Sequence, residues 1–198
     1  MTFAKLFIND FQQFSECKAN LERSCHIEKQ FPAQVFMKKF NRFVFEEFDW
    51  AMSEKCWSTL QDLARKSGDK SLIISVLEPD PVDYYKKTFG CYNWAIISSS
   101  CTSDEYWMLL NHHPEESPAD SMLSNSERVV WAARSGAWAL WGERSLEICV
   151  LACSEINVGE FATWHDVDWV LYDILPGRFR DRVVPAEFIK QFRENYGG

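Results

Sequence analysis

The stretch ERVVWAARSGAWALWGERSLEICVLA, residues 127–152, decides the fold of this chain. Two short polar interruptions, SG at 135–136 and GERS at 142–145, separate three apolar runs. Apolar runs of this length at hairpin spacing indicate three antiparallel strands that follow one another along the chain. The stretch therefore predicts an antiparallel β-meander.

Helix and strand signals surround this meander. Apolar residues at helical spacing, a capping box at Thr102 and Glu105, and Pro185 at a favoured first helical position predict the helices. The predicted helices are 53–66, 102–110, 163–175 and 185–195, and two further strands are predicted at 71–77 and 93–99. This mixture predicts an α+β fold, with residues 1–198 as a single domain in which the meander packs against several helices.

Composition places the chain among globular proteins. It has 198 residues, of which 46% are hydrophobic and 25% charged, and no apolar run reaches the length of a membrane span. Lys5 interrupts the first apolar stretch and no small-residue cleavage site follows it, so we expect no signal peptide. The seven cysteines show no C-x-x-C or zinc-finger spacing. Free thiols of this kind favour a reducing, cytoplasmic location.

The net charge of −8 is unevenly distributed. Residues 1–99 carry 13 acidic and 13 basic residues, whereas residues 100–198 carry 16 acidic and 8 basic ones. Within 104–173 there are 13 acidic residues against three arginines, a local net charge of −10. Such a field repels phosphate backbones and anionic lipids, so we predict no nucleic-acid or membrane binding and a basic protein partner. The alternative is that the acids only keep the protein soluble.

Tryptophan is the second unusual feature, because seven of the nine lie between Trp94 and Trp169, and six of these seven are in the acidic half, residues 100–198. Tryptophan fills cores and also dominates binding hot spots, so its position in the fold decides its role. Trp131, Trp138 and Trp141 belong to the meander and are predicted to lie in the core. In the middle run, Trp138 and Leu140 share one face of the strand and Trp141 lies on the other.

The predicted helix 163–175 offers a candidate binding face. Its apolar residues lie on one side of the helix. At about 100° per residue, Asp166, Trp169 and Asp173 lie together on the opposite side. An indole between two carboxylates suits a basic, partly apolar partner, although the C-terminal segment could instead cover it. The acidic loop 111–121 adds further candidates. The predicted partner-binding residues are Asp166, Trp169, Asp173, Glu115, Glu116 and Asp120.

Common catalytic and cofactor patterns are absent from the sequence. The eight glycines form no G-x-G-x-x-G or Walker loop, and neither H-E-x-x-H nor G-x-S-x-G occurs. We therefore predict no catalytic residues, no metal and no cofactor. The alternative is a small cytosolic, hydrolase-like enzyme whose site is assembled from dispersed residues such as His112, His165 and Asp166. An adaptor or assembly protein unrelated to toxins is a third interpretation.

The segment SPADSMLSNSERVVWAARSGAWALWGERSLEICVLA, residues 117–152, resembles a segment of bacterial immunity proteins. Its centre is S-G-x-W-x-x-W-G-E-R, with Ser135, Trp138 and Trp141, and the related proteins accompany polymorphic toxins of the Rhs and type VI secreted kinds. The resemblance implies a small cytosolic protein that binds a cognate toxin and blocks it without catalysis of its own. It covers about 40 residues, places Glu143 and Arg144 at a turn, and carries over no binding residue.

Overall fold

The computed structural model of the protein describes residues 6–37, 40–154 and 164–197. These ranges contain six strands: β1 Arg42–Glu47, β2 Ser71–Glu78, β3 Trp94–Ser98, β4 Arg128–Ala133, β5 Trp138–Glu143 and β6 Ile148–Cys153. All paired strands are antiparallel and form one sheet in the order β1-β6-β5-β4-β2-β3. The predicted meander is therefore the centre of the sheet, and β1 and β3 are its edges.

Seven α-helices lie in the described ranges: α1 Phe11–Glu22, α2 Phe48–Ala51, α3 Glu54–Ser67, α4 Lys87–Phe89, α5 Ser103–Asn111, α6 Val167–Trp169 and α7 Ala186–Tyr196. A π-helical turn at Pro81–Lys86 leads into α4. None of the helices in these ranges is long and apolar enough to cross a membrane. The predicted α+β class, a meander packed against several helices, is confirmed.

Local sequence signals determine the ends of α3 and α5. Gly68 ends α3 with a φ of 72°, a left-handed conformation that glycine adopts without steric cost. At the start of α5, the Thr102 hydroxyl accepts from the Glu105 N–H, and the Glu105 carboxylate accepts from the Thr102 N–H. The predicted helices at 53–66, 102–110 and 185–195 are confirmed as α3, α5 and α7.

Both faces of the sheet are covered, which is why its strands read as nearly continuous apolar runs. One face packs against α2, α3 and α5, and the other packs against α1, α7 and the turns that follow α6. Trp131 and Trp138 lie in the first core and Trp141 in the second, and all three are fully buried. Their predicted core position is confirmed.

Helix α1 and strand β1 have weaker sequence signals and are not among the predicted elements. The Asp10 carboxylate caps α1 by accepting from the Gln13 N–H at 2.8 Å. Phe14, Cys17 and Leu21 are the buried residues of this helix, and its other side chains are exposed or partly covered. Tertiary packing on the sheet therefore stabilises α1 more than its amphipathic pattern indicates.

Strand β5 extends further than the sequence predicts. Gly142 and Glu143, expected in a turn, are the last two residues of β5, and the chain turns at Arg144–Leu146. The Glu143 carboxylate is buried and accepts the Phe31 N–H at 2.9 Å and the Trp141 Nε1–H at 3.0 Å. The distant residue Phe31 and the neighbouring residue Trp141 thus supply the hydrogen bonds that a buried carboxyl group requires.

The prediction of one α-helix over 163–175 is wrong. Helix α6 has only three residues and is followed by a π-helical turn at Val170–Ile174 and a 3₁₀ turn at Leu175–Arg178. In a regular α-helix the ring of Pro176 would clash with the carbonyl of residue 172, four residues earlier, so the last turn before the proline departs from α-helical geometry. Thr163, the first residue of the predicted helix, lies outside the described residues.

The cysteines pack as apolar side chains. All seven are free thiols, as predicted, and six of them are buried. Burial raises the pKa of the Cys56 and Cys149 thiols well above their ordinary value. These two side chains therefore stay protonated and belong to the core of the α3 and α5 face.

Candidate partner-binding surface

Three of the six predicted binding residues lie just after His165. The Asp166 carboxylate caps α6 by accepting from the Trp169 N–H at 3.0 Å. The Trp169 indole stacks on the His165 ring, with 3.9 Å between ring centroids and 11° between their planes. Asp166 and Asp173 are exposed, whereas Trp169 is half-buried. The two acids are thus available to a partner, but the indole is already engaged within the protein.

Arg193 offsets part of the charge on this segment. Its Nη2 lies 2.5 Å from the Asp168 carboxylate and donates to the Tyr172 hydroxyl at 3.0 Å. Its guanidinium group also lies 5.6 Å from the centre of the Tyr172 ring. Tyr172, the exposed aromatic residue of this segment, is therefore already in contact with a cation.

The other three predicted residues follow α5, and two of them are exposed whereas the third is buried. Glu115 and Glu116 are exposed on the loop. Asp120 is only 5% exposed, and its carboxylate accepts hydrogen bonds from Tyr84 Oη, Ser117 Oγ and Asn125 Nδ2. Burial alone would raise the pKa of Asp120, but these three hydrogen bonds lower it below its ordinary value. Asp120 holds the loop together from inside and is not part of the exposed surface.

The two groups of predicted residues lie at opposite edges of the sheet. His165 pairs with Phe45 of β1 through two backbone hydrogen bonds of 2.9 and 3.0 Å, which places the Asp166 segment beside that edge. Helix α5 packs on α3 and forms a groove with β3, the other edge strand. The residues around Trp169 and the glutamates that follow α5 therefore do not form one site.

Helix α5 carries the most exposed tryptophan. All nine tryptophans lie in the described ranges, and Trp107 alone has more than a third of its surface exposed, at 39%. Its neighbour Met108 is 60% exposed. Asp104 lies one helical turn before both side chains, on the same side of the helix. An exposed aromatic side chain beside carboxylates is the arrangement that was predicted for Trp169.

A groove of about 410 Å³, the α5 groove, lies between α5 and β3. Ala95 and Ile97 line it from β3, and Met108 and Leu109 line it from α5. Glu105, whose carboxylate accepts from the Thr102 N–H, also lines the groove. We refer to this groove together with Asp104, Trp107, Met108 and the Glu105 carboxylate as the α5 surface.

The sequence shows why the α5 surface is not among the predicted sites. Residues 106–110, YWMLL, are all apolar, so their pattern does not distinguish an inner face from an outer one. The structure buries Tyr106, Leu109 and Leu110 and exposes Trp107 and Met108. One signal for the inner face is available in the sequence. The capping box fixes the start of the helix, and the spacing of three and four residues from Tyr106 to Leu109 and Leu110 then indicates the buried face.

The dispersed enzyme site is not assembled in the described ranges. The His112 ring stacks on Phe7 with 6.4 Å between centroids and lines the α5 groove. His165 and Asp166 lie at the β1 edge of the sheet, whereas His112 lies near β3, at the opposite edge. No cluster of three or more His, Cys, Asp or Glu side chains suited to a metal ion occurs within residues 6–37, 40–154 and 164–197.

No family model, no curated protein and no solved structure matches this chain. The acids, the exposed indole and the groove of the α5 surface are therefore the basis for a functional proposal. Carboxylates can contact basic groups, and an exposed indole and an apolar groove can contact apolar side chains.

Proposed function

We propose that this chain is a cytoplasmic immunity protein that binds a cognate bacterial toxin domain and inhibits it by protein–protein contact. The observation that carries the proposal is the α5 surface, where exposed Trp107 and Met108 adjoin the carboxylates of Asp104 and Glu105. Exposed aromatic and methionine side chains are enriched at the centres of protein interfaces.

The charge of the chain supports a basic toxin as its partner. The net charge of −10 over residues 104–173 accelerates encounter with a positively charged surface. A basic toxin domain, such as a nuclease whose active site attracts phosphate groups, presents that surface. An acidic protein on such a site occupies the place where the substrate phosphates bind, so binding and inhibition coincide.

The segment that resembles bacterial immunity proteins has a supporting part in this proposal. It forms the central strands β4, β5 and β6, and Trp138, Trp141 and Glu143 are buried there. Buried residues do not contact a partner directly. Within the proposal, the segment maintains the sheet on which α5 packs.

The proposal predicts that a toxin domain is encoded beside the gene for this chain, and the test is neutralisation of that toxin. We expect the two purified proteins to form a 1:1 complex, and we expect toxin activity to fall in proportion to the amount of this chain added. A triple variant with Asp104→Asn, Glu115→Gln and Glu116→Gln should associate more slowly and with a weaker dependence on salt. Glu105 is kept in this variant because its carboxylate caps α5.

A matched control removes the same number of exposed acids elsewhere. Its substitutions are Asp181→Asn, Glu187→Gln and Glu194→Gln, on α7 and the turn before it. The control should associate at the wild-type rate, within about twofold, because only the charges that face the partner have a strong influence on encounter. Absence of a complex with the toxin, or equal slowing in both triple variants, would contradict the proposal.

Two tryptophan variants distinguish the α5 surface from the predicted Trp169 surface. We expect Trp107→Ala to weaken toxin binding by about 2 kcal/mol or more, as truncation of a central aromatic residue does. Trp169→Ala should bind normally if it folds, since the indole stacks on His165. The reverse result would transfer the proposed interface to the β1 edge and to Asp166 and Asp173.

A further inference from the structure

The outer edge of β3 has backbone groups that point away from the sheet. The Trp94 carbonyl accepts from the Ile8 N–H at 2.7 Å, so it faces away from β2. Backbone groups alternate in direction along a strand of an antiparallel sheet, and those of Ile96 and Ser98 therefore face the same way as those of Trp94. The Ser98 carbonyl accepts from the Cys101 N–H at 3.1 Å.

Three of these groups are open. Within the described ranges, the N–H and C=O of Ile96 and the N–H of Ser98 have no backbone or side-chain partner. Edge strands in soluble proteins are usually protected by charges, bulges or a covering segment, because open backbone groups pair readily with another chain. Ile8 provides such cover only at the Trp94 end of β3.

A cavity lies on each side of this edge. The α5 groove is on one face of the sheet and is mostly apolar. On the other face, α1 and β3 enclose a second cavity of about 490 Å³, the α1 cavity, whose lining includes Glu16, Asn20 and Arg134. Ile96 lines both cavities, so they meet at the open edge.

We propose that an extended segment of the toxin pairs with β3 as a seventh strand of the sheet. Successive side chains of a strand point to opposite faces, so this segment would place an apolar side chain in the α5 groove and a polar one in the α1 cavity. Backbone hydrogen bonds to Ile96 and Ser98 supply affinity, and the two cavities supply specificity. This proposal rests on the proposed function and adds the mode of binding.

Charge determines which segment fits. Glu105 lines the groove, and Asp104 lies on the same helix, so lysine or arginine beside the apolar residue is favoured. A second copy of this chain is the other natural occupant of an open strand edge. Pairing of β3 with β3 would direct the Asp104 and Glu105 carboxylates of both copies toward one interface, where like charges repel.

Proline substitution tests the backbone contacts directly. Ile96→Pro and Ser98→Pro each remove one N–H that faces solvent, which an edge strand tolerates better than the loss of an inward N–H. Ile96→Ala is the matched control, because it shortens the side chain and keeps the N–H. Binding to the toxin domain encoded beside this gene is measured together with amide hydrogen exchange of the free chain and of the complex.

We expect the complex to slow exchange of the Ile96 and Ser98 amides at least tenfold. Ile96→Pro should weaken toxin binding at least tenfold, and more than Ile96→Ala does, with Ser98→Pro as the second test if Ile96→Pro unfolds. A complex that leaves both amides unprotected and tolerates both prolines overturns the strand pairing while the proposed function stands. Failure to form any complex overturns both, and a dimer of the free chain that protects these amides assigns the edge to self-association.

Discussion

Glu143 is a buried carboxyl at the end of β5, and Glu143→Gln isolates the pH dependence that its burial creates. The side chain is 4% exposed and accepts two hydrogen bonds, from the Phe31 N–H and the Trp141 Nε1–H. Burial raises the pKa of Glu143 to about 7, although these hydrogen bonds and the nearby Arg128 lower it. Glutamine has almost the same shape and retains an oxygen that can accept both hydrogen bonds.

The sign of the effect follows from proton linkage. A carboxyl whose pKa rises from 4.5 to about 7 on folding binds its proton more tightly in the native state than in the unfolded state. The stabilisation is complete below pH 4.5 and is lost as the pH rises through the native pKa. Each pH unit between the two pKa values corresponds to about 1.4 kcal/mol, so the loss is about 3 kcal/mol by pH 8.

Urea unfolding at pH 5, 6, 7 and 8, followed by tryptophan fluorescence, measures this loss. Between pH 5 and pH 8, the free energy of unfolding of Glu143→Gln should rise relative to that of the wild type by about 2.5 kcal/mol, because about 0.8 kcal/mol of the loss has already occurred by pH 5. Glu127→Gln, at an exposed position, is the control and should follow the wild type at every pH. If the stability curves of Glu143→Gln and the wild type ran parallel, the argument from burial would be refuted.

Three further predictions concern packing and composition. Leu60 is fully buried, so Leu60→Ala should lower the free energy of unfolding in urea by about 2–5 kcal/mol; exposed Ser58→Ala on the same helix should change it by less than about 0.5 kcal/mol. A Cβ on Gly142 would lie 2.9 Å from Phe48 Cδ2, so Gly142→Ala should destabilise by about 1–3 kcal/mol in thermal unfolding. Gly177→Ala, with no heavy atom within 4 Å, should be neutral. Elemental analysis should find less than about 0.1 equivalent of zinc, and a full equivalent would contradict the absence of a ligand cluster in the described ranges.

The parts of the fold that the sequence predicts are those with local signals. The meander follows from apolar runs separated by short polar turns, and α5 follows from its Thr102 and Glu105 capping box. Helix α3 follows from its apolar spacing and from Gly68 at its end. In each case the residues that specify the element are close together in the chain, so no tertiary contact is needed to recognise it.

The candidate site depends on contacts that sequence patterns do not contain. Trp107 and Trp169 both lie beside acidic residues in the sequence, and only the structure distinguishes them, because Trp107 is exposed whereas Trp169 is half-buried and stacks on His165. Asp120 resembles Glu115 and Glu116 in the sequence. In the structure it is buried, and its carboxylate accepts hydrogen bonds from Tyr84 and Asn125. The open edge of β3 follows from strand order, which the prediction of strands at 71–77 and 93–99 does not specify.

The kinetics of toxin binding test the central claim most directly. Association and dissociation of the toxin domain encoded beside this gene are measured for the wild type and Trp107→Ala at 50 mM and 300 mM salt. We expect association to slow with salt, and we expect Trp107→Ala to dissociate about thirtyfold faster or more, the rate equivalent of about 2 kcal/mol. Association that does not respond to salt, together with unchanged dissociation of a folded Trp107→Ala variant, would contradict binding through the α5 surface.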